Sequence, residues 1–267
     1  MKFVFLILLF PLIILSQNNN FVIGINGGAY LANNNTAILY GGNYTSYNVS
    51  SIFNNAITKP AFDQFFQYPY SIYDIPIDIK YSLGTEIGFH LGSQKRKSKI
   101  YVDINFSDLK VQDFITIAVD DPNNQSVDPN YVPISITGKE KRNMINLGIL
   151  KTIYQESNIS ILAPFFLQVL EVKISENFII VNNQQYNIPH NNSSLNLNQS
   201  TSTYGLGIGS GLALNYFIDK DLSFDIGYHI QYCKTNFSKQ LNPWGIQQSF
   251  FGRIVLNGSK YLSKSNN

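Results

Sequence analysis

The stretch IDIKYSLGTEIGFHLG, Ile77 to Gly92, alternates between two kinds of residue. Ile77, Ile79, Tyr81, Leu83, Thr85, Ile87, Phe89 and Leu91 fall on one parity. Asp78, Lys80, Ser82, Gly84, Glu86, Gly88, His90 and Gly92 fall on the other. A period of two describes an extended strand with two unlike faces. A soluble-domain strand usually ends after ~5–6 residues, whereas a tilted membrane-spanning strand needs ~9–11. A long strand with an oily stripe opposite charges and glycines therefore points to lipid on one side.

Further segments repeat the pattern. In Phe21 to Leu31, Phe21, Ile23, Ile25, Ala29 and Leu31 oppose Gly24, Asn26 and Gly28. Ile100, Val102, Ile104 and Phe106 oppose Tyr101, Asp103, Asn105 and Ser107, and Ile145, Leu147, Ile149 and Ile153 oppose Asn146, Gly148 and Thr152. Tyr204 to Tyr216 sets large apolar residues against Gly205, Gly207, Gly209, Gly211 and Ala213. Leu222 to Cys233 alternates without a break, and a last segment surrounds Phe250 to Leu256. Ile159 to Ile174 is the least regular candidate: both faces are apolar, and Pro164 suggests a bulge or a strand start.

These make eight strands, and their connectors alternate in length. Long segments at about 33–76, 120–142, 182–203 and 238–247 alternate with short turns at 94–97, 156–158 and 219–221. In an up-and-down sheet all long loops then lie at one end, with both termini at the other. The pattern predicts an all-β fold, an eight-stranded antiparallel up-and-down transmembrane β-barrel with long external loops. Closure satisfies every backbone group in lipid. Tyr30, Phe106, Tyr204, Tyr232 and Phe237 at one end, and Tyr101, Tyr154, Tyr216 and Phe224 at the other, are the expected aromatic girdles. The competing reading is a lipocalin-like barrel or secreted sandwich. It would place the glycine-rich face of Gly205 to Ala213 in water, a poor choice for a strand surface.

The start of the chain agrees. MKFVFLILLFPLIILSQNNN has a basic Lys2, an apolar run from Phe3 to Leu15 and a small Ser16, which reads as a secretory signal peptide over residues 1–16. Pro11 and the shortness of the run argue against a membrane anchor. Residues 17–267 are then the barrel domain. No long apolar run follows Leu15, so the pattern is not that of a helical membrane protein. Net charge is +2 with 13% charged residues, and the only basic run is Lys95-Arg96-Lys97, so no nucleic-acid partner is expected. Cys233 is alone and forms no intrachain disulfide. Sequons at Asn43, Asn48, Asn124, Asn158, Asn198 and Asn236 are read as products of an asparagine-rich composition.

With its leader and alternating strands, the chain resembles the small outer-membrane barrels of Gram-negative bacteria, of the OmpA/OmpX or PorT-like type. The resemblance is architectural and spans almost the whole mature chain. It implies a location in the outer membrane of a Gram-negative bacterium, with membrane lipid as a partner. It implies work as an anchor, an adhesion or defence protein, a secretion component or, rarely, an enzyme. One departure is the C-terminus: many such barrels end on an aromatic residue, whereas this chain ends YLSKSNN, with Tyr261 the nearest aromatic.

The inward parity holds Asp78, Lys80, Glu86, His90, Asp103, Asp225, His229 and Arg253. An internal network of ion pairs is expected, since unpaired charge inside a barrel is costly, and eight strands leave little room for a channel. A hydrolase is the catalytic alternative, but His90 and His229 fall at different depths, His190 lies in a long loop, and no serine is placed beside either strand histidine. No Cys-x-x-Cys or His-x-x-x-His spacing exists, and Gly205 to Gly211 lacks the G-x-G-x-x-G pattern, so no metal, cofactor or catalytic residue is expected. In the first loop, Phe62, Phe65, Phe66, Tyr68, Tyr70 and Tyr73 either fold as a lid or meet a protein partner, and Phe62 to Phe66 fits a helical turn after Pro60. The sequence supports a non-enzymatic structural or interaction protein working through its external loops. A component of a protein-secretion or surface-assembly complex is the first alternative, and a small outer-membrane hydrolase the second.

Overall fold

The computed structural model describes residues 20–44, 47–95, 97–188, 202–236 and 244–257. The expected leader, Phe237 and His190 lie outside these. The strands are β1 (Asn20–Leu31), β2 (Asn43–Tyr44), β3 (Tyr47–Asn48), β4 (Tyr70–Asp74), β5 (Gly84–Lys95), β6 (Ser98–Val119), β7 (Asn130–Glu156), β8 (Ile159–Val181), β9 (Gln184–Asn187), β10 (Ser202–Phe217), β11 (Leu222–Thr235) and β12 (Trp244–Asn257). Two short helices, α1 (Ser50–Phe53) and α2 (Lys59–Phe66), lie between β3 and β4.

Eight strands close a ring. β1, β5, β6, β7, β8, β10, β11 and β12 pair in chain order, β12 returns to β1, and every pairing is antiparallel. The ladder between β8 and β10 breaks only beside Pro164: pairing stops at Ser210–Phe165 and resumes at Ala213–Leu162 in the same register. Proline has no N–H to donate, and Ser210 Oγ bonds the Pro164 carbonyl at 3.1 Å instead.

β6 carries all the layers of the molecule. Facing inward it presents Tyr101, Asp103, Asn105 and Ser107, then Leu109 and Val111, then Ile115, Ile117 and Val119, all buried. Its outward side turns from Ile100, Val102, Ile104 and Phe106 to Asp108 and Lys110. The apolar outer face thus ends where the charged one begins. β7 and β8 change at the same level, because Asp108 pairs with Lys141 and Lys141 with Lys173. On β10 the outward residues from Tyr204 to Tyr216 include Leu206, Ile208, Leu212 and Leu214, each 47% exposed or more. At ~3.4 Å per residue and a tilt of ~40° this stretch projects to about 30 Å, the thickness of a hydrocarbon core.

Several sequence expectations are corrected. Ile77 to Leu83 is not strand: β5 begins at Gly84. Only Tyr81 bridges to Val111 there. In this segment Ile79 and Tyr81 turn into the core, so Asp78 and Lys80 lie in solvent and pair with each other at 3.2 Å. Tyr30 and Tyr101 belong to no girdle, since both rings are buried inside the ring of strands. Of the segment expected as a loop at 120–142, residues 130–142 already belong to β7, because β6, β7 and β8 continue past the barrel with apolar inner faces to bury; in 182–203, residues 184–187 form β9 and 202–203 open β10, while 189–201 lie outside the described residues.

The inward glycines do not leave a hollow. A Cβ on Gly227 would fall 2.4 Å from the Phe251 ring, one on Gly209 2.3 Å from Phe166, and one on Gly138 2.0 Å from Tyr40. Each glycine is the seat of an aromatic ring from another element, Phe251 and Phe166 from strands and Tyr40 from the first loop, so the small face predicted for the lumen receives large side chains.

Candidate functional site: the sealed interior and the external cap

The lower interior holds a chain of charged and polar groups. His90 Nδ1 lies 2.6 Å from Asp103 Oδ1, the Arg253 guanidinium donates to Asp103 Oδ2 at 2.9 Å, and it reaches Asp225 at 3.9 Å. Asn215 then donates to Asp225, and Ser160 Oγ to Asn215 Oδ1 at 3.2 Å. Ser249 Oγ donates to Glu86 at 2.8 Å. Of the predicted inward residues, the structure brings Glu86, His90, Asp103, Asp225, His229 and Arg253 inside the barrel and leaves Asp78 and Lys80 out. Among the described residues His229 meets no carboxylate; it lies between Phe166 and Phe251, with centroids at 5.1 and 4.5 Å. Among the described residues no serine hydroxyl bonds either histidine, so the geometry lacks the nucleophile-to-base contact that acyl transfer requires.

A second cluster, outside the inward residues that the alternation singles out, closes the mouth. Arg142 Nε donates to Glu140 Oε1 at 2.6 Å, while its other nitrogens donate to Tyr30 Oη (3.1 Å), Gln247 Oε1 (3.0 Å) and Thr36 Oγ1 (3.3 Å). Tyr40 and Tyr81 donate their hydroxyls to Glu140 Oε2 at 3.1 and 2.5 Å. The sequence pattern puts Arg142 and Glu140 in a long loop that runs to residue 142. The signal was present: Glu140, Arg142, Met144 and Asn146 share the parity of β7's buried face. Apolar residues pack around this cluster, among them Leu39, Ile79, Leu109, Val111, Leu170 and Val172. The mouth is stoppered by a packed, hydrogen-bonded plug.

Above the plug stands the cap. β4 and β9 pair with the outer edges of the projecting β6, β7 and β8. The inner face of this sheet, including Ile115, Ile117, Ile134, Ile136 and Ile179, packs against Ile52, Phe53, Phe62 and Phe66 of the two helices. α2 starts well because Pro60 sits in its first turn, and it ends at Gln67, which takes a left-handed φ of 64°. Of the six aromatic candidates in the first loop, Phe62 and Phe66 are buried, Tyr68 and Tyr70 pack partly, and Phe65 and Tyr73 are exposed.

Beside α2 the cap has an open cleft of about 390 Å³, lined by Phe53, Asn54, Lys59, Asp63, Gln67, Tyr68, Pro69 and Tyr70. Lys59 Nζ lies 2.5 Å from Asp63 Oδ1 and 5.5 Å from the centre of the Tyr70 ring. The hydrogen bond from Lys59 holds the Asp63 carboxyl below its usual range. Burial, with Asp63 beside it, pushes the Tyr70 phenol up to about 12. Among the described residues no cluster of histidine, cysteine or carboxylate side chains could hold a metal ion.

No family model matches the chain. No curated protein matches it either. Among solved structures it is similar to Neisserial surface protein A at 8% identity, over 89% of this chain and 96% of that one, with a TM-score of 0.44. It is also similar to Ail, the attachment invasion locus protein of Yersinia pestis, at 12% identity over 90% and 97%, with a TM-score of 0.30. The translocator domain of the autotransporter NalP from Neisseria meningitidis is 7% identical over 91% and 90%, with a TM-score of 0.31. The closed pairing of eight strands, apolar outside and polar within, is itself the architecture of a small outer-membrane-type β-barrel.

Proposed function

We propose that this protein sits in the outer membrane of a Gram-negative bacterium and works there as a non-enzymatic structural or interaction protein that presents its cap to the outside. One observation carries the reading: along β6 the outer face changes from Ile100–Phe106 to Asp108 and Lys110 at the level where the interior is stoppered. Lipid suits the first part and water the second. The sealed interior favours an anchor over a conduit, since passage would require removing Arg142 and its four hydrogen-bond partners from the mouth. Catalysis is disfavoured by the burial of both strand histidines.

Topology tests this. An epitope at Gln125, in the turn between β6 and β7, should be labelled on intact cells, and one at Lys220, in the turn between β10 and β11, only after lysis. Labelling of Lys220 alone on intact cells would invert the orientation, and recovery of the protein in a soluble fraction would end the membrane reading.

One feature favours the alternative of a component in a secretion or surface-assembly complex. Tyr73 of the first loop meets Tyr131 with centroids at 4.7 Å, and both rings are well exposed at 64% and 45%. Phe114, 60% exposed, shares their outward face above the charged belt. Cross-linking from Tyr73 in whole cells, followed by identification of the adduct, decides between a free surface and an occupied one.

A further inference from the structure

We propose that the cleft beside α2 binds a neutral saccharide. The inference rests on the reading of the cap as the outward-facing end and adds a ligand class to it.

The cleft combines the features that sugar recognition requires. It is open, and about 390 Å³ in volume. That falls in the ~300–1,000 Å³ range of small-ligand sites and suits a mono- or disaccharide. One wall is aromatic. The Tyr68 hydroxyl accepts a hydrogen bond from Asn123 Nδ2 at 2.8 Å, from the tip of the β6–β7 hairpin. That bond fixes the ring, and among the described residues no other ring stacks on it. A held aromatic face matches the apolar C–H face of a pyranose and loses little conformational freedom on binding. Tyr70 is held by the Phe66 ring at 4.5 Å and by Lys59 above it.

The other wall supplies hydrogen bonds. The side-chain amides of Asn54 and Gln67 line the cleft. Among the described residues neither makes a hydrogen bond. Each amide offers a carbonyl acceptor and two N–H donors, the complement of vicinal hydroxyls that both donate and accept. The Asp63 carboxylate is held by Lys59 through Oδ1 and by Tyr70, which fixes this side of the cleft.

Charge selects the class. Lys59 and Asp63 neutralise each other at 2.5 Å. The lining residues carry no other charge, so a phosphorylated, sulfated or carboxylated ligand finds no uncompensated cation. An extended peptide would need a row of unpaired backbone groups, whereas this cleft offers side chains and Pro69, which has no N–H.

The test uses the full mature chain, folded in lauryldimethylamine oxide micelles so that no sugar-headed detergent competes. Lactose, maltose, cellobiose and chitobiose are presented at millimolar concentration, with glucuronic acid as the anionic comparator, and binding is read by saturation-transfer NMR. At least one neutral disaccharide should show transfer, and glucuronic acid should not. Asn54→Ala removes an exposed amide and should leave the gel mobility of the folded barrel unchanged while weakening binding about 5–10-fold, the loss of roughly one hydrogen bond. Tyr68→Phe should weaken it less than Tyr68→Ala. Absence of transfer from every neutral sugar overturns the proposal. So does preference for glucuronic acid, or binding indifferent to both Asn54→Ala and Tyr68→Ala. The micelle measurement is independent of location: no binding with Gln125 still labelled on intact cells removes the saccharide alone, and binding without that labelling removes the outward-facing reading.

Discussion

Arg142 and Glu140, two positions apart on β7, meet at 2.6 Å with neither side chain reaching solvent. The pair is satisfied on all sides: tyrosines serve the carboxylate, while Tyr30, Gln247 and Thr36 accept from the guanidinium. Removing one partner of a buried pair leaves a buried charge uncompensated, which costs ~3–5 kcal/mol, whereas replacing both with apolar groups is far milder. Arg142→Met should therefore lower the urea midpoint, read by the gel mobility of folded against unfolded protein, much more than Arg142→Met combined with Glu140→Leu. Equal losses would mean that the plug contributes packing alone.

Ile226 on β11 is 58% exposed on the outer face, and Ser223 is 2% exposed on the inner face. An outward arginine near the bilayer midplane costs ~2–4 kcal/mol. Ile226→Arg should reduce assembled protein in membranes strongly, and Ser223→Ala hardly at all. Gly227 is no mild inward control, because a Cβ there meets Phe251 at 2.4 Å. Gly227→Leu should block folding even though it adds only apolar atoms.

Phe62 is fully buried, with Phe53 at 4.8 Å and Tyr186 at 4.7 Å between ring centres. Phe→Ala in a packed core costs ~3–5 kcal/mol. That loss falls on the cap, whose core lies above the barrel's own. Phe62→Ala should make residues 48–70 sensitive to added protease on cells while the barrel keeps its folded gel mobility. Protease resistance unchanged from wild type would show that the cap does not depend on this cluster.

The barrel was legible because its outer parity is simple. One side of each strand meets a uniform solvent, so β1, β10 and β11 show clean alternation. The interior was legible only where strand and parity were both right: Asp103 and Arg253 came from well-phased segments, whereas Asp78 and Lys80 came from a stretch that alternates yet is held by a single bridge at Tyr81. There Ile79 and Tyr81 face inward, opposite to the neighbouring strand, and composition alone does not reveal such a phase change. Arg142 and Glu140 were hidden by the opposite error. Charged alternation in KEKRN, 139–143, resembles a solvated loop, because a buried ion pair and an exposed one use the same letters. Proline was a partial signal: Pro164 does interrupt a ladder, but it leaves the register intact.

If the exposed oily face lies against lipid, two single cysteines will sense different surroundings on either side of the apolar edge. With Cys233 replaced by serine, a spin label is placed at Ile226, within the apolar band, and at Lys110, just above it. Both positions are exposed in the structure, so geometry alone predicts equal access for any reagent. In outer-membrane vesicles the label at Ile226 should relax with membrane-dissolved oxygen and be shielded from a water-soluble nickel chelate, while the label at Lys110 should show the reverse. Strong relaxation of both labels by the nickel chelate would place the whole barrel in water and end the membrane reading.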